Sequence, residues 1–260
     1  MARTFETPPN MRAWQYTSSN GGIEKNLVMN CTAPLPRPQS NQHLVQVLAA
    51  SINPVDYKGT EHPFIGWLLV PKPATPGNDF AGMVVTPAVG SPYKAGDLVV
   101  GCSGDNPLAG GALREFTVVK EKLLFPIPEG ISVIDAASIP VAGISAYQSI
   151  VPNVKKGDRI FLNGGSGGTG MFGIQIAKIL GCHVTVTCST TNIKLCKSLG
   201  ADFVIDYTKG SVLQALMNTG VMFDHVVDFV GLDEQLIWKS YLYAKPHVVY
   251  TMVGGIPAFS

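Results

Sequence analysis

The amino-acid sequence predicts an α/β protein in two parts, an all-β, barrel-like half followed by a doubly wound parallel sheet. Three observations carry this. Before about residue 130, short apolar runs are broken by Pro, Gly and Asn, with proline-rich connectors A-P-L-P-R-P (33–38) and V-P-K-P-A-T-P (70–76). From Arg159 onward, apolar strand-like runs alternate with helical patterns, the rhythm of parallel strands covered on both faces. At the start of that rhythm, residues 159–170 read R-I-F-L-N-G-G-S-G-G-T-G and lead straight into M-F-G-I-Q-I-A-K-I-L.

In the first half, strands are expected at Leu44–Ile52, Phe80–Val85, Asp97–Val100 and Phe116–Val119, each bounded by turn-forming residues. The stretch 131–150 holds the first good helical patterns, interrupted at Pro140. In the second half, strands are expected at 159–163, 183–188, 203–205, 223–229 and 247–253. Helices fall between them at about 169–180, 191–199, 210–218 and 233–243. The expected division is a first domain of residues 1–134 and a second of 135–260.

The glycine-rich turn carries the first functional signal. Gly165, Gly167 and Gly170 fit the spacing G-x-G-x-x-G. The first glycine permits a tight turn and the second lets backbone approach a pyrophosphate. The third lets helix pack closely on strand, and free N–H groups at the helix start face the anion. Ser166, Gly168 and Thr169 complete the loop. With a strand before it and a helix after it, this loop points to a nicotinamide or flavin dinucleotide.

The end of the second strand selects the cofactor. An Asp or Glu there takes a ribose 2′-hydroxyl, whereas neutral and basic groups accommodate a 2′-phosphate. The segment V-T-V-T-C-S-T-T-N-I-K offers Ser189, Thr190 and Lys194, and no carboxylate follows until Asp202. Hydroxyls and an ammonium bind a phosphate that a carboxylate would repel, so NADPH is expected. Tyr207, just past the third strand, is placed to line the same pocket.

Bulk properties exclude several classes. With 46% apolar and 14% charged residues in 260, the chain can bury a sizeable core. A net charge of +1 gives no case for nucleic acid. No run reaches the length of a membrane span, and the N-terminus lacks the apolar stretch of a secretory signal. Cys31, Cys102, Cys182, Cys188 and Cys196 are scattered, with no C-x-x-C pair, as expected for reduced thiols in a cytoplasmic protein.

Several motifs run in one order over nearly the whole chain: S-I-N-P-V-D-Y-K (51–58), P-G-N-D-F-A-G (76–82), A-G-D-L-V-V-G (95–101), A-A-S-I-P-V-A-G-I-S-A-Y (136–147), L-G-A-D-F-V-I-D-Y (199–207) and F-D-H-V-V-D-F-V-G (223–231). With the glycine turn, they resemble the medium-chain dehydrogenase/reductase superfamily, in its zinc-independent quinone oxidoreductase (zeta-crystallin-like) and enoyl reductase branch. The resemblance implies a GroES-like β-barrel domain, then a Rossmann domain, with the active site in the cleft between them. Asn53 stands where zinc-dependent relatives place a first Cys ligand, and Asn78 and Asp79 replace a His and a Glu. No Cys lies near Ala142 or Gly143 for the third place, and the five histidines form no H-x₃₋₅-H pair. No zinc site is expected.

Without a Lewis acid, the reaction must need only positioning and hydrogen-bond donation. Reduction of a quinone, or of an alkene conjugated to a carbonyl, fits. The candidate catalytic residues are Asn53, whose amide can donate to a carbonyl oxygen, and Tyr57, which can donate or protonate. Asp56 is expected to orient a neighbour. Ser145 replaces a Thr that relatives place near the nicotinamide, and Gly254 and Gly255 are expected to admit the nicotinamide close to the backbone.

Two alternatives stay open, a nucleotide-binding protein without turnover and a trans-acting enoyl reductase for carrier-bound acyl chains. The apolar stretch P-F-I-G-W-L-L-V (63–70) is either a docking surface for the latter or a helix packed on the β domain. Relatives run several dozen residues past the fifth strand, whereas this chain ends at Ser260. A fragment, a truncated product or a partner-covered sheet edge is expected, and the sixth-strand homodimer of relatives is not expected to form unchanged.

Overall fold

Residues 6–61, 70–103 and 111–255 are described by a computed structural model. They belong to two units, Met1–Val141 and Ala142–Ser260.

The first unit is built from strands that keep one face apolar. β1 (Asn10–Gln15) and β2 (Val28–Pro34) form an antiparallel pair. A second sheet contains β3 (Gln42–Ser51), β4 (Asp79–Thr86), β5 (Leu98–Cys102), β6 (Phe116–Lys120) and β7 (Leu124–Pro126), in the order β6-β3-β4-β5-β7. Every pairing in it is antiparallel. Val45, Phe80, Val84, Val99, Val119 and Leu124 form its core, and each such side chain contributes about 1.5–3 kcal/mol when removed from water. Strand β4 approaches β3 so closely at Gly82 that an added Cβ would lie 2.1 Å from the Gln46 carbonyl oxygen.

Helix α1 (Val55–Glu61) follows Asn53-Pro54. Helix α2 (Val133–Ala137) starts at Ser132, whose Oγ accepts from the Asp135 N–H, the N-cap bond that satisfies an otherwise orphaned donor. Ala136 and Ala137 pack with Ala81 and Val100. Helix α3 (Pro140–Ile150) spans the junction of the units.

The second unit alternates strand and helix as expected. Its elements are β8 (Arg159–Asn163), α4 (Gly168–Ile179), β9 (His183–Cys188), α5 (Ile193–Ser198), β10 (Phe203–Asp206), α6 (Val212–Asn218), β11 (Phe223–Asp228), α7 (Glu234–Trp238) and β12 (Ala244–Met252). The strands are parallel in the order β10-β9-β8-β11-β12. Alternate residues of one strand serve opposite cores. Ile160 and Leu162 pack with Ile174 and Ala177 of α4, while Phe161 packs with Leu213 and Leu216 of α6 and Leu236 of α7. This is the two-sided covering that defines a doubly wound sheet, and its strand order reverses between β8 and β11.

Two expectations need correction. β1, β2, β7 and α1 were not anticipated: β2 is mostly exposed, with no alternation of buried and exposed residues, and α1 is only seven residues long, so neither presents a strong periodicity. The helical stretch 131–150 is divided at Pro140 as expected: α2 ends at Ala137 and Pro140 opens α3, where a first-turn proline has no N–H to lose. The helix expected over 233–243 is shorter, breaking after Trp238 into a separate 3₁₀ turn at Ser240–Leu242. Of the apolar stretch 63–70, all but Val70 lies outside the described residues; Val70 itself is buried against Tyr16, Ile23 and Ala74.

Candidate active site

In the second unit the glycine turn lies at the C-terminal ends of the strands, next to the point where the strand order reverses. Parallel α/β sheets bind ligands there. Each glycine has its own physical reason. A Cβ on Gly165 would lie 2.7 Å from Val186 Cβ, and one on Gly170 would lie 2.1 Å from the Gly164 carbonyl oxygen. Those two are required by packing within the protein. Gly167 is different: it is exposed, and an added Cβ would meet only the Gly164 oxygen at 3.5 Å. The protein itself leaves room at Gly167, as a position approached by an external group would require. Gly167 is the N-cap of α4, with Gly168, Thr169 and Gly170 forming the first turn.

The turn is fixed by a buried polar row along three strand ends. The Thr187 hydroxyl accepts from Gly164 N–H (2.7 Å) and donates to Asn163 Oδ1 (2.6 Å). Asn163 Nδ2 donates to Asp228 Oδ1 at 2.8 Å. That same oxygen accepts from Val230 N–H and Gly231 N–H, and Asp228 Oδ2 accepts from the Tyr250 hydroxyl at 3.1 Å. Sequence reasoning passed over Asn163, Thr187 and Asp228. Their signal was a polar residue at or one short of the C-terminal end of three apolar strands.

Ser189, Thr190 and Lys194 follow β9, with Lys194 exposed in the first turn of α5. Ser166 Oγ accepts from Asn192 Nδ2 at 3.1 Å, tying the glycine loop to this turn. The turn after β9 carries no carboxylate of its own, but one reaches it from the neighbouring strand. Asp202 is drawn away by Lys178 Nζ (2.8 Å) and Val184 N–H (2.7 Å), but Asp206 is brought in. Parallel pairing sets Asp206 beside Cys188, and its carboxylate accepts from the hydroxyls of Thr190 and Thr208. Those bonds, Thr190 first, hold its pKa below the usual carboxylate range. Adjacent parallel strands end at the same level, so a residue at the tip of the third strand reaches the turn after the second. Tyr207, the next residue, is exposed.

Ser145 lies half-buried in α3, its carbonyl accepting from the Ser149 hydroxyl. At Gly254 and Gly255, added Cβ atoms would lie 2.1 Å from the Phe229 oxygen and 2.4 Å from the Gly231 oxygen. The close approach of the 229–231 turn already requires glycine at both positions.

The first unit contributes a network of side chains. Asn53 and Asp56 enclose the start of α1, where Asp56 Oδ2 accepts from Asn53 N–H at 2.7 Å. Asp56 Oδ1 accepts from Asn78 Nδ2. The Asn53 side chain turns the other way, its Nδ2 donating to Asp79 Oδ2 at 2.9 Å. Asp79 also accepts from Ser51 Oγ (3.2 Å), from Val141 N–H (3.1 Å to each oxygen) and from Cys102 Sγ (3.6 Å). Asn53, Asp56, Asn78 and Asp79 are all buried. Burial raises the pKa of both carboxyls against the lowering effect of their hydrogen bonds. Burial, with Asp79 alongside, pushes the Cys102 thiol up to about 12.

Tyr57 is exposed and lines a cavity of about 290 Å³ together with Ile23, Leu27, Ile52, Pro76 and Leu113. The structure joins Asn53 to Asp56 and adds Asn78, Asp79 and Cys102, which no local pattern links.

This donor set does not fit a catalytic zinc. Among the described residues no group of three or more His, Cys, Asp or Glu is placed to hold a metal. Asp79 is surrounded by N–H, O–H and S–H donors, which complement an anion rather than a cation. The glycine turn, by contrast, fits a dinucleotide: an exposed N-cap glycine with space at its Cα begins a 12-residue helix.

The comparisons with known proteins agree with both halves. Residues 39–129 match the family model of the alcohol dehydrogenase GroES-like domain, and residues 168–259 match that of the zinc-binding dehydrogenase. The second match covers the nucleotide-binding half and not the Asn53–Asp79 positions. The chain is 47% identical over 261 residues to the trans-enoyl reductase pgmF of Aspergillus terreus, covering 96% of this chain and 73% of that one. It is 38% identical over 230 residues to a chloroplast envelope quinone oxidoreductase homolog of Arabidopsis thaliana, covering 84% and 67%. Among solved structures it resembles the quinone oxidoreductase from Coxiella burnetii, with a TM-score of 0.82, 30% identity and coverage of 96% and 84%. A β unit, a doubly wound glycine-turn unit and relatives of this closeness together establish that the chain is an oxidoreductase of the medium-chain dehydrogenase/reductase superfamily.

Proposed function

We propose that this chain reduces activated alkenes, α,β-unsaturated carbonyls or the related quinones, with NADPH as hydride donor and without a metal. The observation that carries the reading is the Asn53 amide, buried beside Asp79 with one of its two N–H groups engaged. The second N–H remains a donor for an acceptor's carbonyl oxygen. Donation there stabilises negative charge as it develops on that oxygen, an interaction worth about 10²–10³ in rate. An electrophilic β-carbon needs no more activation than this, whereas a simple alcohol would need its proton removed.

A bound nicotinamide would supply the hydride for the β-carbon, and solvent water would supply the proton that completes the α-carbon. The N–H groups of Gly167, Gly168 and Thr169 at the start of α4 would hold the pyrophosphate, with Ser166 and Gly170 shaping the turn. Ser189, Thr190 and Lys194 would take the 2′-phosphate, with Tyr207 beside them and Asp206 as an opposing charge. Ser145, Gly254 and Gly255 belong to the nicotinamide end of this reading. Tyr57 lines the cavity, whose carbon-rich lining suits the apolar part of an acceptor.

A second reading is favoured by the 47% identity to a trans-enoyl reductase: the acceptor is an enoyl thioester carried by another protein. One assay separates these readings from binding without turnover. NADPH consumption is measured with a free enone, a quinone, a short trans-2-enoyl thioester and a saturated aldehyde. Turnover of the first two supports the main reading, and turnover of the thioester alone supports the second. Tight NADPH binding with no turnover would leave a nucleotide-binding protein.

A further inference from the structure

We infer that Asp79 is a positioning residue: its carboxylate sets the orientation of the Asn53 amide and so determines which atom meets the acceptor. The inference rests on the role given to Asn53 above and extends it to a residue that touches no substrate. Asp79 is fully buried at the first position of β4. Its place is fixed from both sides, because its register neighbours are Ser51 on β3 and Cys102 on β5. Both neighbours direct their side chains at its carboxylate, and Val141 N–H in the first turn of α3 adds a third anchor.

An amide side chain has a donor end and an acceptor end that are nearly equal in shape, and only its hydrogen-bond partners choose between them. The Asp79 carboxylate is an acceptor held in place by three other groups, so the end of Asn53 that meets its Oδ2 must be Nδ2. A flipped amide would set Oδ1 against the carboxylate oxygen, leaving both lone pairs without a donor in a buried place. The same contact withdraws one N–H from competition and leaves the other free. A buried carboxylate is expensive where a neutral residue of its size would serve for packing. Fixing a catalytic amide gives this one a purpose that packing does not.

Capping of α3 is the competing role, and the two separate experimentally. The variants N53A, D79N and N53A/D79N are compared for kcat and KM with a free enone, together with ¹⁵N spectra of the Asn53 side-chain amide, identified by its loss in N53A. The expected result is a kcat about 10–100-fold lower in D79N with KM nearly unchanged, and a double variant no slower than N53A. In the spectra, the wild type shows two widely separated Asn53 amide protons that converge in D79N. Independent, multiplying losses, or an Asn53 signal unmoved by D79N, would overturn the inference and leave Asp79 as a helix cap. Should D79N fail to fold, the wild-type signal decides alone, since equivalent Asn53 amide protons would contradict the contact. Should no enone be turned over, the functional reading fails, while the spectra still test the Asp79 contact.

Discussion

The two units reach function by different means. In the second unit the candidate ligand site is made of backbone, a turn whose glycines are dictated by clearances of 2.1–2.7 Å at Gly165 and Gly170 and by open space at Gly167. In the first unit it is made of side chains, in which Asn53, Asp56, Asn78, Asp79 and Cys102 from a loop, a helix and two strands converge on two buried carboxyls. A backbone site depends on a short contiguous segment and tolerates little change within it. A side-chain network depends on distant strands keeping register, and single members can be exchanged with graded effect.

This contrast can be broken in several places. The largest effect is expected from Gly170→Ala. The new methyl meets the Gly164 oxygen and Gly165 Cα, so the turn must move; a destabilisation of about 1–3 kcal/mol and loss of NADPH binding should appear in thermal melts and nicotinamide fluorescence. Next is Asn53→Ala, expected to lower kcat about 10²–10³-fold while NADPH binding stays unchanged. An equal loss in both would mean that the two units do not divide the work in this way.

Smaller changes sharpen the picture of the cofactor pocket. Lys194→Ala should weaken NADPH about tenfold and leave NADH untouched, while Asp206→Asn should shift the preference further toward NADPH. If Asp206→Asn instead improved NADH alone, Asp206 would not oppose the 2′-phosphate.

The smallest effects are in pH dependence, with opposite signs in the two units. Asp79 has its pKa raised in the fold by burial. Its contribution to stability is therefore fully present below its unfolded value of about 3.9 and is lost as pH rises through the folded value. His225 is buried, with Nε2 on the Ser149 carbonyl, and burial lowers its pKa. Its contribution is present above about pH 6.5 and is lost as pH falls through the folded value. Denaturant unfolding of wild type against Asp79→Asn and against His225→Gln should show these opposing slopes.

Legibility from sequence followed the same division. The glycine turn and the strand–helix rhythm were readable because each is local or periodic. Asp206 was missed because its relevance comes from strand pairing: it lies four residues past Asp202 but reaches Thr190 through the parallel register of β10 and β9. The Asn163–Thr187–Asp228 row was missed for the same reason. Asp79 was noted only as a replacement for a metal-binding residue. Its use as an acceptor for Asn53, Ser51, Cys102 and Val141 could not be seen before β3, β4 and β5 were aligned. Gly254 was singled out for a ligand, yet packing against Phe229 already requires it.

The central claim, hydride transfer from NADPH to the β-carbon of an activated alkene, is tested most directly by isotope transfer. The purified chain is incubated with NADPH deuterated at the nicotinamide C4 and an open-chain enone, and the product is analysed by NMR. One deuterium at the β-carbon of the saturated ketone, on one face only, is the predicted result. NADPH that binds while the enone returns unchanged, or deuterium at the carbinol carbon of an allylic alcohol, would contradict it.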